Sequence, residues 1–315
     1  MSLKTSILII SYNQESFIAA TLHSALDQGS DVEIVVADDH STDGTCDVVE
    51  EIARATAAPI KLLRGERNVG ITGNCNRGLT SCRGDLIAML GGDDLMLPGK
   101  IAAQRPWMAA SGRRVLCGHD AESFDSETGA TLYLDSERVR FEPELTGAAA
   151  LCRGETHYSG STAVLRREAM PAGGFDERLP MVSDLKLYID TVGRDGVHGV
   201  IPGVWSRYRR HAGNVSHARR KQMFDELSDT YRLVAAEQPW FARDCELGLA
   251  CAHYTYGCSD IADGHLRQGR RKLMGAIRSP SALKNHPKAL AWLAFSFLPN
   301  DARSSMLSRR AESCR

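Results

Sequence analysis

The chain has 315 residues, 43% apolar and 24% charged, with 28 glycines and 11 prolines. That is enough for one large or two moderate globular domains whose core needs no disulfide or metal staple. Its 38 Lys+Arg against 39 Asp+Glu leave a net charge of −1, so no global field draws it to nucleic acid. The longest mainly apolar run, residues 289–298, is about half of the roughly 20 residues a membrane-crossing helix needs, and no secretory leader is visible.

Residues 5–10 (TSILII) and 32–37 (VEIVVA) are β-branched runs that predict strands. Phe17, Ile18, Leu22 and Leu26 follow the first at helical spacing; Val48, Val49 and Ile52 follow the second, behind a turn in which Asp43 or Thr45 can cap the helix. A third strand is expected at 60–63, a third helix around 74–81 and a fourth strand at 86–90. This alternation predicts an α/β fold with a mostly parallel sheet between helices. The pattern is less regular from 111 to 183, with strands expected at 114–117 and 161–165. Helical segments dominate after 219, at 224–236, 245–256, 266–277 and 289–297. The expected division is a catalytic domain over 1–218 and a C-terminal helical region over 219–315, with a break in the first near residue 110. Charge divides similarly: residues 201–315 carry 19 Lys+Arg against 10 Asp+Glu, and residues 1–200 carry 19 against 29. Nine cysteines, odd in number and without a Cys-x-x-Cys pair, point to free thiols and a cytoplasmic location.

Gly-x-Gly-x-x-Gly after the first strand, a P-loop and a Gly-x-Ser-x-Gly elbow are all missing, which argues against dinucleotide, P-loop and serine-hydrolase chemistry. Polar loops stand at the strand ends instead: Ser11-Tyr12-Asn13, Asp38-Asp39 and Gly91-Gly92-Asp93-Asp94. In such sheets ligands collect there. Two adjacent carboxylate pairs need a cation or a set of donors to stay ionised, and a hard divalent ion bridging to phosphate oxygens would serve. A single pair could equally cap a turn.

Several motifs arrive in order: Ser11-Tyr12-Asn13; Ala37-Asp38-Asp39-His40-Ser41-Thr42-Asp43-Gly44; Asn68-x-Gly70 to Asn76-x-Gly78; Gly84-Asp85 through Gly91-Gly92-Asp93-Asp94; Gly173-Gly174-Phe175-Asp176; Ser183-Asp184-Leu185; and Tyr208-Arg209-x-His211-x-x-Asn214-x-Ser216. Together, over residues 5–217, they resemble glycosyltransferase family 2. The resemblance implies a GT-A fold with a Rossmann-like nucleotide-binding half over 1–110 and an acceptor half over 111–218. It implies a nucleoside-diphosphate sugar donor (UDP, dTDP or GDP sugar), a divalent cation, Mn or Mg, and transfer with inversion. Carried over, Ser11, Tyr12, Asn13, Asp38, Asp39, Asn68, Asn76 and Asp93 would line the nucleotide site. Asp93, Asp94 and His211 would meet the metal, and Arg209 and His211 the diphosphate. Two positions depart from the pattern. Gly91 replaces the first aspartate of Asp-x-Asp, so that its contact is either absent or supplied by Asp94, and Cys75 stands where relatives carry arginine.

An inverting displacement needs a carboxylate on the face of the sugar opposite the leaving group, to take the acceptor hydroxyl's proton. Asp184, expected at a helix start, is the candidate base; a helix-start carboxylate favoured by the macrodipole is the plainer alternative. Residues 207–211 are expected to form a cationic lid over the diphosphate. The acceptor would be a saccharide or lipid-linked saccharide in surface polysaccharide synthesis. The apolar segment around Trp292, flanked by Lys284, Lys288, Arg303, Arg309 and Arg310, could pack within the protein, in a homo-oligomer, or peripherally on an anionic leaflet. Two rivals remain at this stage. One is a sugar nucleotidyltransferase, for which the first loop lacks glycine and cation; the other is a non-catalytic nucleotide-sugar-binding partner subunit.

Overall fold

The computed structural model describes residues 3–56, 58–139, 141–214, 219–279, 286–299, 301, 303 and 306. The chain forms two compact units, residues 1–151 with 155–223, and residues 152–154 with 224–315.

In the first unit, β1 (Thr5–Ser11), β2 (Val32–Asp38), β3 (Ile60–Arg64) and β4 (Leu86–Gly91) run parallel and alternate with α1 (Glu15–Leu26), α2 (Thr45–Ala55) and α3 (Gly70–Leu79). Ile7, Leu8 and Ile9 are fully buried in succession, as are Val35, Val36 and Ala37. Continuous burial marks strands covered on both faces, each large side chain contributing about 1.5–3 kcal/mol. The sheet continues through β5 (Leu95–Met96), β6 (Arg114–Asp125), β7 (Thr131–Leu134), β8 (Leu145–Thr146), β9 (Val164–Arg166) and β10 (Val197–Arg210). Its order is β3-β2-β1-β4-β9-β6-β10-β5, with β7 beside β6 and β8 beside β10. The short β9 is antiparallel to both neighbours, so β4, β6 and β10 share one direction. Helices α4 (Lys100–Ala109), α5 (Ala149–Cys152) and α6 (Ser183–Val192) complete the connections.

Three predicted elements differ. Helix α3 starts at Gly70, four residues before the expected start. The strand expected at 161–165 is a 3-10 turn, Gly160–Thr162, followed by β9. Residues 207–210, expected as a lid, are the end of β10, paired in register with β6 from Arg207 opposite Glu122 to Arg210 opposite Asp125.

Gly84 turns the chain from α3 into β4. A Cβ there would lie 2.4 Å from the backbone nitrogen of Ser6, while Ser6 Oγ accepts from Gly84 N at 2.8 Å. A backbone neighbour cannot swing aside, so Gly84→Ala is expected to cost at least about 2 kcal/mol, read as a lowered denaturant midpoint at unchanged m-value.

The second unit contains most of α7 (Arg220–Glu237), with α8 (Ala242–Ala262), α9 (Leu266–Arg278) and α10 (His286–Phe295). Ile261, Leu273, Ala276 and Ala289 form its core, and a buried Lys272–Asp260 ion pair at 2.6 Å ties α9 to α8. The eight described cysteines are free. Among the described residues no helix is long and apolar enough to cross a membrane.

Candidate active site

Strand register aligns the loops. Ser11 pairs with Asp38 across β1 and β2, and Ile10 with Gly91 across β1 and β4. The three polar loops therefore leave the same sheet edge at one level. The two aspartates of each pair take different partners.

Asp38 turns inward. It is 1% exposed, accepts from Ser11 Oγ at 3.0 Å and from Ser41 N at 2.8 Å, and so pins the second loop to the first strand. Asn13 continues this brace at a positive φ of 52°, donating from its backbone N to Ser41 Oγ and accepting from Thr42 N through Oδ1. Ser11, Asn13 and Asp38, expected to line the nucleotide, hold one loop against the other. Asp39 reaches the start of α3, where its two oxygens accept from Val69 N at 2.8 Å and Gly70 N at 2.9 Å. Tyr12 and Val69 stay exposed on these two loops, and Asn68 Oδ1 accepts from Gly70 N.

Helix α3 also fixes the segment leading to Asp184. Thr72 Oγ1 donates to Leu179 O at 2.6 Å and lies 2.8 Å from Ser183 Oγ. Asn76 donates to Phe175 O and accepts from Phe175 N. Both ends of the amide of Asn76, expected in the nucleotide pocket, face the 173–177 loop. The Asp176 carboxylate beyond it, held by Arg178 and by Lys186 of α6, has its pKa drawn down to about 2.

At the end of β4 the second pair separates in the same way. Asp93 Oδ2 lies 2.9 Å from His211 Nε2, just beyond β10, and 3.4 Å from Asn214 Nδ2; the two side chains are 19% and 16% exposed. Asp94 is buried. One oxygen accepts from Ser161 Oγ and the other from Arg209 N at 2.9 Å. Burial, with the Asp93 charge alongside, pushes its carboxyl up to about 7. Asp94, expected at the metal, braces Ser161 and the backbone of Arg209. At Gly91 an added Cβ would lie 2.9 Å from Asp93 Oδ1 and 3.2 Å from Asp94 Oδ2, so a side chain there would displace the Asp93 carboxylate.

Two residues that sequence reasoning missed complete the support. Ser161 Oγ also accepts from Gly91 N at 3.1 Å, and the fully buried Lys100 donates to Ser161 O at 2.6 Å, its amine pushed down to about 7 by desolvation. Arg209 donates from Nε to Asp93 O at 2.7 Å, and its guanidinium packs over the Phe17 and Phe124 rings. Phe17 in turn lies 4.8 Å from the His211 ring. Arg207 and Arg210 point elsewhere, to Glu122 and Tyr133. Ser216 and His217 lie outside the described residues.

Asp184 sits in the first turn of α6, half-buried, with Oδ1 accepting from Leu185 N at 2.8 Å. Desolvation raises its carboxyl above the ordinary aspartate range, and His157 partly offsets this. Cys75 is buried within the field of both Asp184 and Asp39, its thiol raised to about 12 and therefore inert. Its neighbourhood links the base candidate to the first two loops.

Comparison with known proteins identifies a family and a fold. The model of the family described as glycosyl transferase family 2 matches residues 6–173. An uncharacterized protein of Mycobacterium tuberculosis H37Rv is 28% identical over 221 residues, covering 68% of this chain; the chain spans 60% of that relative's length. The succinoglycan biosynthesis protein ExoO of Rhizobium meliloti is 27% identical over 252 residues, covering 77% of this chain and 69% of its own. Among solved structures, residues 1–349 of Staphylococcus aureus TarS in complex with UDP-GlcNAc superimpose with a TM-score of 0.70 at 16% identity, covering 98% of this chain and 92% of theirs. The mannosyltransferase PcManGT of Pyrobaculum calidifontis, in complex with GDP-Man and Mn2+, gives 0.63 at 18% identity, covering 94% and 84%. With a family model matching more than half its length and a GT-A sheet carrying the motifs at its strand ends, the chain belongs to glycosyltransferase family 2.

Proposed function

We propose that this glycosyltransferase is metal-dependent and inverting, and moves a sugar from a nucleoside-diphosphate donor to a hydroxyl of a glycan or lipid-linked saccharide in surface polysaccharide synthesis. The observation that carries the reading is the Asp93–His211 pair, 118 residues apart in sequence and 2.9 Å apart at the sheet edge. The carboxylate suits Mn or Mg, which fill their remaining positions from substrate phosphates and water, and the added imidazole favours Mn, a transition metal, over Mg. Among the described residues no cluster of three His, Cys, Asp or Glu could hold a metal unaided, in keeping with a cation that arrives with its diphosphate.

The bound cation would neutralise charge as the diphosphate leaves. Asp93 and His211 would hold it, and Arg209, whose remaining guanidinium N–H groups meet no protein partner among the described residues, would face the phosphates. Tyr12 and Asp39 would meet the base, and Asn68 would line the pocket. Asp184 would accept the acceptor hydroxyl's proton at a carboxylate oxygen as that hydroxyl attacks. Free cysteines and the absence of a described spanning helix fit a cytoplasmic reaction fed by cytoplasmic nucleotide sugars. PcManGT with GDP-Man and Mn2+, and TarS with UDP-GlcNAc, lend support from the same fold.

A thermal-shift panel of UDP-, GDP-, dTDP- and CDP-sugars, each with and without Mn2+ or Mg2+, tests the binding half. One nucleotide is expected to raise Tm only with metal. A rise of equal size in the presence of chelator would contradict metal dependence.

A further inference from the structure

The second unit changes character after Asp263. Residues 264–315 hold 11 Lys+Arg against only 2 Asp+Glu, whereas residues 224–263 hold 2 against 8. Within this basic stretch, α10 buries one side through Ala289 and Ser296, with Trp292 and Leu293 half-buried against the core. Its other side, continued through the turn that follows, is Leu290, Ala291, Ala294, Phe297 and Leu298, all exposed. Phe297 is 67% exposed and Leu290 52%. At helical spacing these five residues form one stripe without a polar side chain, so α10 is apolar on both its buried and its open side.

Cations stand beside the stripe. Arg270 of α9 stacks on Phe297 at 3.8 Å and donates to Ser296 O and Oγ, and Arg303 donates to Leu298 O. Lys288 is exposed on α10 itself. A second copy of the chain would set this charge against itself, because the same cations would meet across a two-fold axis. An anionic lipid surface satisfies both features: acyl chains take the apolar stripe and headgroups take the cations. At about 15 Å, a ten-residue helix is too short to span and suits lying in the interface plane.

We infer that the open face of α10, with Lys288, Arg270 and Arg303 beside it, docks the protein onto an anionic membrane leaflet. The inference rests on no assignment of donor or acceptor. Each cation near an anionic surface strengthens partitioning by about fivefold.

The test is co-sedimentation of the full chain with vesicles of phosphatidylglycerol and phosphatidylcholine in equal parts, against vesicles of phosphatidylcholine alone. At least tenfold stronger binding to the anionic vesicles is expected, weakened by added salt. Leu290→Ser with Phe297→Ser is expected to lose tenfold or more of that binding while leaving the far-ultraviolet circular dichroism of the chain unchanged. Equal, negligible sedimentation with both vesicle types would overturn the inference without any variant. So would wild-type dimerisation, seen by light scattering, that the double substitution abolishes while vesicle binding persists, since the face would then belong to a second copy.

Discussion

Asp184→Asn is expected to lower kcat by roughly 100-fold or more while leaving donor affinity within about twofold, the scale for removing a general base that does not hold the donor. The amide keeps the shape and can still accept from Leu185 N. It also removes a carboxylate that burial has made costly. The melting temperature at neutral pH is therefore expected to stay level or rise, which separates loss of chemistry from loss of fold. The pH profile offers a second readout. A base works only when ionised, and a carboxyl raised by desolvation takes up its proton at a higher pH than a free aspartate would. Wild-type kcat should thus fall on the acid side at a pH above the ordinary aspartate range, and this limb should vanish from the residual rate of the variant. Retention of most activity would remove Asp184 from the role.

Asp93→Ala is the second large effect. The change removes the carboxylate at His211 Nε2 and leaves the Asp93 carbonyl, which accepts from Arg209, in place. Loss of metal-dependent nucleotide binding is expected, with kcat/KM down by about 10²–10³, the magnitude seen when one element of charge stabilisation is removed. Calorimetric titration with Mn2+ and nucleoside diphosphate checks it, and an unchanged isotherm would count against Asp93 as ligand. Asp94→Asn should behave differently, since Asp94 holds Ser161 and Arg209 in the interior. Its chief effect should be on stability, with metal affinity changed only through the altered seat of Asp93.

Strands β1, β2 and β4 were legible because they are uninterrupted apolar runs, and their order with α1 and α2 already implied a parallel sheet. Strand β10 was not, because Gly199, Pro202 and Gly203 break its sequence and the cations from Arg207 to Arg210 read as a lid. Its register shifts absorb those residues, and ladder pairing with β6 carries the cations on to His211. The aspartate pairs were visible as pairs, but which member turns inward follows from tertiary partners, Ser11 for Asp38 and Ser161 with the backbone of Arg209 for Asp94, that the local sequence does not name. Ser161 and Lys100 gave no local signal at all: their contact joins positions 61 residues apart in sequence and exists only once β4, α4 and the turn before β9 have packed.

The same reasoning bears on Gly91. Its missing side chain leaves Asp93 and His211 as the pair on which metal capture would turn, and a binding-only subunit is the reading that would follow if they were insufficient. Release of nucleoside diphosphate from the stabilising donor, followed with Mn2+ or Mg2+ and then with chelator, decides between them most directly. The account predicts slow release to water that metal supports, chelator stops and restored metal recovers. A donor that binds with metal yet yields no nucleoside diphosphate, with water or with saccharide acceptors, would contradict it.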